Sequence, residues 1–102
     1  MLVEFSIVPI GKGESLGDEL ARVMKIVDES GLPYKIGPMG TVVEGRWDEV
    51  MALIKRCHEE VLATSPRAIT TIRIDDRPSK PMDRIEEKVR SVERRLGREL
   101  KK

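Results

Sequence analysis

The chain has 102 residues, of which 39% are hydrophobic and 36% are charged, and its formal net charge at pH 7 is +1. This length and composition are typical of one globular domain, residues 1–102, with a single hydrophobic core. The near-neutral charge gives no strong field that would attract nucleic acid or a membrane surface. A single cysteine, Cys57, excludes an internal disulfide and a zinc site built from cysteines.

Two further absences suggest where the protein works. No apolar run approaches the roughly 18 residues of a membrane span, and the N-terminus lacks a signal-peptide pattern, so we expect a cytoplasmic protein. The chain contains neither Asn nor Gln, whereas Glu, Lys and Arg are abundant. Amides are thermolabile and charge-rich surfaces suit high temperature, so the composition favours a thermophilic source.

Hydrophobic periodicity predicts the element order β-α-β-β-α-β-α. In the first helix, Ser15 and Asp18 form a capping-box pattern, and Gly31 stands where a helix-ending glycine is expected. Pro81 is suited to the first position of the last helix. The elements are a strand Leu2–Ile10, a helix from Leu16 to Val27, strands Tyr34–Ile36 and Thr41–Glu44, a helix from Asp48 to Leu62, a strand Ala68–Asp75 and a helix from Met82 to about Leu100.

With right-handed crossovers, this order predicts an α+β fold: a ferredoxin-like βαββαβ sandwich with an extra C-terminal helix. Its four-stranded antiparallel sheet has the order 4-1-3-2, and the first two helices cover one face. The last helix is strongly basic, since nine basic and five acidic residues follow from Lys80 onward. The pattern predicts no cover within the chain for the second face of the sheet.

Alternation along the strands assigns each side chain to one face of the sheet. Val3, Phe5 and Ile7 are assigned to the helix side, which leaves Ser6 on the open side. The open face also receives the aliphatic residues Leu2, Val8, Val42 and Ile69. A monomer rarely exposes a continuous aliphatic patch, so we expect a homo-oligomer, a dimer or tetramer, that pairs through its sheet faces.

Polar side chains interrupt this aliphatic face. Ser6 is predicted to lie between Thr71 on one neighbouring strand and Glu44 or Val42 on the other. With Arg73, the set Ser6, Thr71 and Glu44 predicts a small polar ligand site near a subunit interface. The alternative is that Arg73 forms an ion pair with Glu4 and that the hydroxyl groups are ordinary strand residues.

Several chemistries common in this fold lack their residues here. Cys57 and His58 are adjacent on a helix and point about 100° apart, so they do not form a nucleophile–base pair. The chain has no P-loop, no G-x-G-x-x-G and no C-x-x-C motif. RNA-binding sheets need exposed stacking aromatics, and Phe5 is assigned to the core. Hydrolases similar to acylphosphatase need an Asn, so ligand binding or sensing remains, with no metal or cofactor implied.

Three motifs resemble a known family. They are FSIVPIG at residues 5–11, GPMGTVVEG at residues 37–45 and IRIDDR at residues 72–77. The chain resembles the thiamine-binding protein family, also called the MTH1187/YkoF-like, UPF0045 or DUF77 family. This resemblance covers nearly the whole chain, and the Pro-Met-Gly-Thr turn followed by Glu-Gly is its most specific part.

The resemblance implies a ferredoxin-like subunit that pairs into dimers and tetramers, binds thiamine or its hydroxymethylpyrimidine moiety, and has no known catalytic activity. Carried over by position, the pocket residues are Ser6, Tyr34, Gly37, Thr41 and Glu44. Glu44 would accept hydrogen bonds from the aminopyrimidine. Two alternatives remain open: a regulatory module that binds another metabolite or an anion at Arg73 or Arg77, and an assembly scaffold.

Overall fold

The computed structural model describes residues 1–11 and 16–102. The predicted order of elements is confirmed. The elements are β1 Leu2–Ile10, α1 Gly17–Glu29, β2 Tyr34–Ile36, β3 Thr41–Glu44, α2 Trp47–Leu62, β4 Arg67–Asp75 and α3 Arg84–Leu96. The predicted cap residue of α1, Ser15, lies outside the described residues, and Gly31 follows α1 with a positive φ of 79°, as a helix-ending glycine does.

The four strands form one antiparallel sheet in the order β2-β3-β1-β4. This is the predicted ferredoxin-like arrangement. The two sides of β1 are paired to different extents. On one side β4 pairs with all of β1, from Leu2 opposite Asp75 to Ile10 opposite Arg67. On the other side β3 pairs only with residues 2–5, and on that side no strand within the described part of the chain pairs with β1 beyond Phe5.

The core lies between the sheet and the two helices α1 and α2. Val3 and Phe5 are buried and Ile7 packs against the core, as alternation predicts. Helices α1 and α2 face them with one apolar stripe each. The buried apolar helix residues are Val23, Val27, Val50, Leu53, Ile54, Cys57 and Val61.

Helix α3 is shorter than predicted at both ends. It ends at Leu96 because Gly97 takes a left-handed conformation, with a φ of 72°, and its N–H donates to the Glu93 carbonyl oxygen. At the other end the helix begins at Arg84 rather than beside Pro81. The predicted span of Met82 to Leu100 was therefore too long. At the C-terminal end, the hydrophobic spacing continues from Leu96 to Leu100, although the left-handed conformation of Gly97 ends the helix between them.

The expectation that the second face of the sheet has no cover was also wrong. Val43 is buried against the helices, so its neighbour Glu44 faces the opposite side, and Glu44 contacts the first residues of α3. Lys88 of α3 pairs with Asp75 at the end of β4. Helix α3 therefore covers part of this face beside β3. Val8 and Ile69, on the β4 side, are 44% and 46% exposed.

Candidate functional site

A cleft of about 410 Å³ lies where β1 extends beyond the end of β3. Its walls are residues 5–9 of β1, the first half of α1, and residues 36–41 around the β2–β3 turn. Since β3 does not reach this part of β1, the strand edge borders the cleft instead of a neighbouring strand. Peptide groups along an unpaired edge are available to a ligand that can donate or accept hydrogen bonds.

The β2–β3 turn forms one wall of the cleft because its glycines allow a close approach to β1. The Gly37 N–H donates to the Gly40 carbonyl oxygen over 2.8 Å, which closes the turn around Pro38 and Met39. A Cβ atom at Gly40 would lie 3.2 Å from the carbonyl oxygen of Phe5. A larger residue at Gly40 would therefore require the turn and β1 to separate by a few tenths of an ångström.

Among the described residues, three polar side chains line the cleft. Ser6 is half-buried on β1, opposite Thr71 of β4. Thr41 is buried on the helix side, as predicted, with its hydroxyl 3.5 Å from the sulfur of Met24. Glu19, on α1, is only 9% exposed.

The sequence interpretation missed Glu19, although a signal was present. Glu19 precedes Val23 by four residues and Val27 by eight, so it lies on the stripe of α1 that faces the core. An acidic residue in that phase is unusual, because burial of a carboxylate is costly. A search for charged residues within an apolar helical stripe would have found it.

Glu44 and Tyr34 lie elsewhere, beside a groove between β2 and the N-terminal half of α3. Glu44 is 3% exposed, and its carboxylate oxygens accept the backbone N–H groups of Arg84 over 3.0 Å and Ile85 over 3.4 Å. The Tyr34 hydroxyl donates to Asp28 over 2.7 Å, and this bond raises the pKa of Tyr34. The structure therefore assigns the Glu44 carboxylate a partner within the chain.

The predicted set of Ser6, Thr71, Glu44 and Arg73 is not brought together. Glu44 pairs with Leu2, four residues before Ser6 and about 13 Å away along the strand. Arg73 lies opposite Glu4, with Nε 3.7 Å from a carboxylate oxygen, and its side chain is 81% exposed. This is the ion pair that the sequence left open as the alternative. Of the set, only Ser6 and Thr71 lie directly opposite each other, because the register of β3 places Glu44 opposite Leu2 and the register of β4 places Arg73 opposite Glu4.

Cys57 and His58 occupy separate environments on α2. Cys57 is fully buried, and burial raises the pKa of its thiol to about 11. His58 Nδ1 lies 2.6 Å from the Thr70 hydroxyl. The two side chains therefore form no catalytic pair with each other.

We expect Cys57 to resist iodoacetamide in the folded protein at pH 8, because the thiolate is the reactive form. After unfolding in urea the same thiol should react fully, as measured by intact mass spectrometry. Because burial raises this pKa from 9.0 to about 11, the free energy of unfolding should decline as the pH rises above about 9. Rapid alkylation of the folded protein would contradict the burial of this thiol.

Within residues 1–11 and 16–102, no group of three or more His, Cys, Asp and Glu side chains is placed to hold a metal ion. None of the described helices has both the length and the apolar character needed to cross a membrane.

Comparison with known proteins identifies the family. A family model described as thiamine-binding protein matches residues 3–93. The chain belongs to the thiamine-binding protein family. A UPF0045 protein of Mycobacterium bovis is 42% identical over 99 residues, covering 96% of each chain. Another from Methanocaldococcus jannaschii is 32% identical over 92 residues, covering 90% of this chain and 91% of the relative.

Solved structures share this fold. The crystal structure of a hypothetical protein of Methanocaldococcus jannaschii has a TM-score of 0.82 and 32% identity, and it covers 89% of this chain and 93% of the other. A Thermotoga maritima protein, assigned provisionally to thiamine biosynthesis or salvage, has a TM-score of 0.77 and 26% identity, with coverage of 89% and 96%. The resemblance deduced from the three motifs is confirmed, and family membership supports a small-molecule-binding role.

Proposed function

We propose that this chain is a non-enzymatic binding protein for thiamine or its hydroxymethylpyrimidine moiety, and that the ligand occupies the cleft between β1, α1 and the β2–β3 turn. One observation carries the proposal. The cleft gathers Ser6, Gly37 and Thr41, which are three of the five pocket residues that the family resemblance implies. Tyr34 and Glu44, the other two, border the α3 groove instead.

The chemistry of the cleft suits a flat heterocycle. Its volume of about 410 Å³ is within the usual range for small-molecule sites. Val23 and Ile36 provide apolar surface for the faces of an aromatic ring, while the hydroxyl groups of Ser6 and Thr41 both donate and accept hydrogen bonds. The unpaired edge of β1 adds peptide groups that can match the amino group and ring nitrogens of an aminopyrimidine.

We further propose that the protein is a cytoplasmic homo-oligomer from a thermophile, with the cleft near a subunit interface. Exposed Val8 lines the cleft and belongs to the sheet face that α3 leaves uncovered, together with Ile69. A second subunit on this face would therefore lie close to the ligand. Light scattering of the purified protein tests the oligomeric state.

Thermal unfolding with a ligand panel tests the function. The panel contains thiamine, hydroxymethylpyrimidine, thiamine phosphates, inorganic phosphate and several amino acids. A ligand at about 100 times its dissociation constant should stabilise the folded protein by roughly 2.7 kcal/mol. We expect a raised midpoint with thiamine or the pyrimidine. A rise only with phosphate or amino acids would favour the regulatory alternative, and no rise for an intact oligomer would favour the scaffold.

Matched hydroxyl variants test the position of the site. Ser6→Ala and Thr41→Val each remove one hydroxyl from the cleft with little change of shape. We expect each variant to weaken thiamine binding by roughly 3- to 10-fold, the usual value of one hydrogen bond. Thr71→Val is the control, because Thr71 pairs with Ser6 but does not line the cleft. Equal affinities for all three variants, measured by calorimetry, would place the ligand elsewhere.

A further inference from the structure

Glu19 is the residue of the cleft whose position the proposed function does not explain. It lies on the core-facing stripe of α1, is 9% exposed, and contributes to the cleft wall. Of the described residues that line the cleft, it alone carries a formal charge. Glu19 already takes part in an interaction within the chain, and a cation bound in the cleft would act alongside that interaction.

The surroundings of Glu19 strengthen its effect on a bound charge. Leu20 and Val23 on the same helix and Ile36 across the cleft provide apolar surface, and the low exposure of Glu19 itself reduces the screening of its charge by water. A carboxylate in such a place attracts a delocalised cation and repels a phosphate group. Its location in the first turn of α1, at the positive end of the helix dipole, stabilises the negative charge there.

We propose that Glu19 is the specificity-determining residue of the cleft and selects a heterocycle that carries a positive charge and no phosphate. This inference rests on the proposed function, because it concerns the ligand of that same cleft. Thiamine carries a permanent charge on its thiazolium ring, whereas hydroxymethylpyrimidine is neutral and thiamine pyrophosphate is anionic. The cleft therefore binds thiamine more tightly than either of the other two molecules.

Calorimetric titration of the folded protein with these three molecules tests the inference without any variant. We expect thiamine to bind at least about tenfold more tightly than hydroxymethylpyrimidine, as for one charge-assisted contact. Thiamine pyrophosphate should bind more weakly than thiamine. If the neutral pyrimidine or the pyrophosphate binds as tightly as thiamine, the inference is wrong while the proposed function stands. If none of the three binds, the proposed function fails and the inference fails with it.

The variant Glu19→Gln then assigns the selectivity to one side chain. It keeps the size of the side chain and removes the charge. We expect thiamine affinity to fall by roughly tenfold and hydroxymethylpyrimidine affinity to change less than about twofold. The preference for thiamine over hydroxymethylpyrimidine should therefore be lost. Asp18→Asn is the matched control, since it removes a charge from the adjacent, exposed residue of the same helical turn. If Glu19→Gln lowers the affinities for thiamine and hydroxymethylpyrimidine equally, Glu19 has a structural role only and the inference is wrong.

Discussion

Replacing Glu44 with alanine should release the N-terminal half of α3 from the sheet while the βαββαβ core stays folded. The Glu44 carboxylate accepts the first N–H groups of α3, from Arg84 and Ile85, which have no partner inside the helix. None of the side chains of α3 is fully buried, and Ile85 and Val89 are only half-buried, so the Glu44 contact is a substantial part of its attachment. We expect the free energy of local opening of α3 to fall by about 3 kcal/mol, the upper value for a hydrogen bond to a charged group.

Native-state hydrogen exchange measures this effect. Amide protection at residues 84–96 should fall roughly 100-fold, as a change of about 3 kcal/mol implies, while strands β1 and β4 stay protected. Glu44→Gln keeps one carbonyl acceptor, so its loss of amide protection in α3 should be smaller than that of Glu44→Ala. Glu86→Ala, which breaks only an exposed pair with Arg90, is the control and should cost about 0.5 kcal/mol or less. Unchanged protection of α3 in Glu44→Ala would refute the role of this contact.

The same variant separates two assignments of Glu44. If Glu44 binds the aminopyrimidine, as its position in the family motif implies, then Glu44→Ala should abolish thiamine binding without dissolving the oligomer. If the ligand occupies the cleft that contains Ser6 and Thr41, thiamine affinity should persist when α3 is loosened. Calorimetry on Glu44→Ala distinguishes the two outcomes.

A second contact attaches α3 and depends on pH. Lys88 donates to Asp75 at the end of β4, and this hydrogen bond lowers the pKa of the Asp75 carboxyl from 3.8. Because the pKa of Asp75 is lower in the folded state than in the unfolded chain, the contact stabilises the folded state at pH values above 3.8. This stabilisation is lost as the pH falls from 3.8 through the lowered pKa of the folded state. The pair is exposed, so its contribution is small beside that of Glu44.

Replacing Phe5 with alanine should destabilise the whole domain. Phe5 is 3% exposed on the central strand, between Thr41 of β3 and Ile72 of β4, and it packs into the core beneath α1 and α2. Truncation of a buried Phe to Ala costs about 3–5 kcal/mol, a large share of the 5–15 kcal/mol that stabilises a typical domain. We expect a correspondingly lower urea midpoint by circular dichroism.

Two variants control for this interpretation. Phe5→Leu keeps most of the buried volume and should cost less than about 1.5 kcal/mol. Leu62→Ala removes an aliphatic side chain that is 42% exposed on α2, and its cost should be well below that of Phe5→Ala. If Phe5→Ala and Leu62→Ala have the same midpoint, Phe5 is not a central core residue.

The elements and the two faces of the sheet could be predicted because they depend on local periodicity. The alternation Val3, Phe5, Ile7 identifies the buried side of β1 without knowledge of its neighbours. The ends of α3 were predicted less well. Hydrophobic spacing alone does not show where the chain adopts a left-handed conformation, and Gly97 was the signal that marked the end.

The candidate site was predicted in part, for a related reason. Ser6, Gly37 and Thr41 were identified from motifs, and the fold brings them together at the cleft. Glu44 was grouped with Ser6 because strand alternation assigns both side chains to the same face of the sheet, the one opposite α1 and α2. Strand alternation places residues on a face but does not set the register between β3 and β1, which pairs Glu44 with Leu2, four residues before Ser6.

Chain-local chemistry therefore established the element order, the ferredoxin-like topology, the buried face and the family of this protein, since periodicity, turn residues and motifs are properties of neighbouring positions. Contacts between distant residues established the rest. The short β3 leaves the edge of β1 at the cleft without a partner strand among the described residues, the packing of α1 against the sheet brings Glu19 into the cleft wall, and the Glu44 carboxylate holds a helix that begins 40 residues later. Such contacts depend on register, burial and orientation, which arise only when the elements pack together.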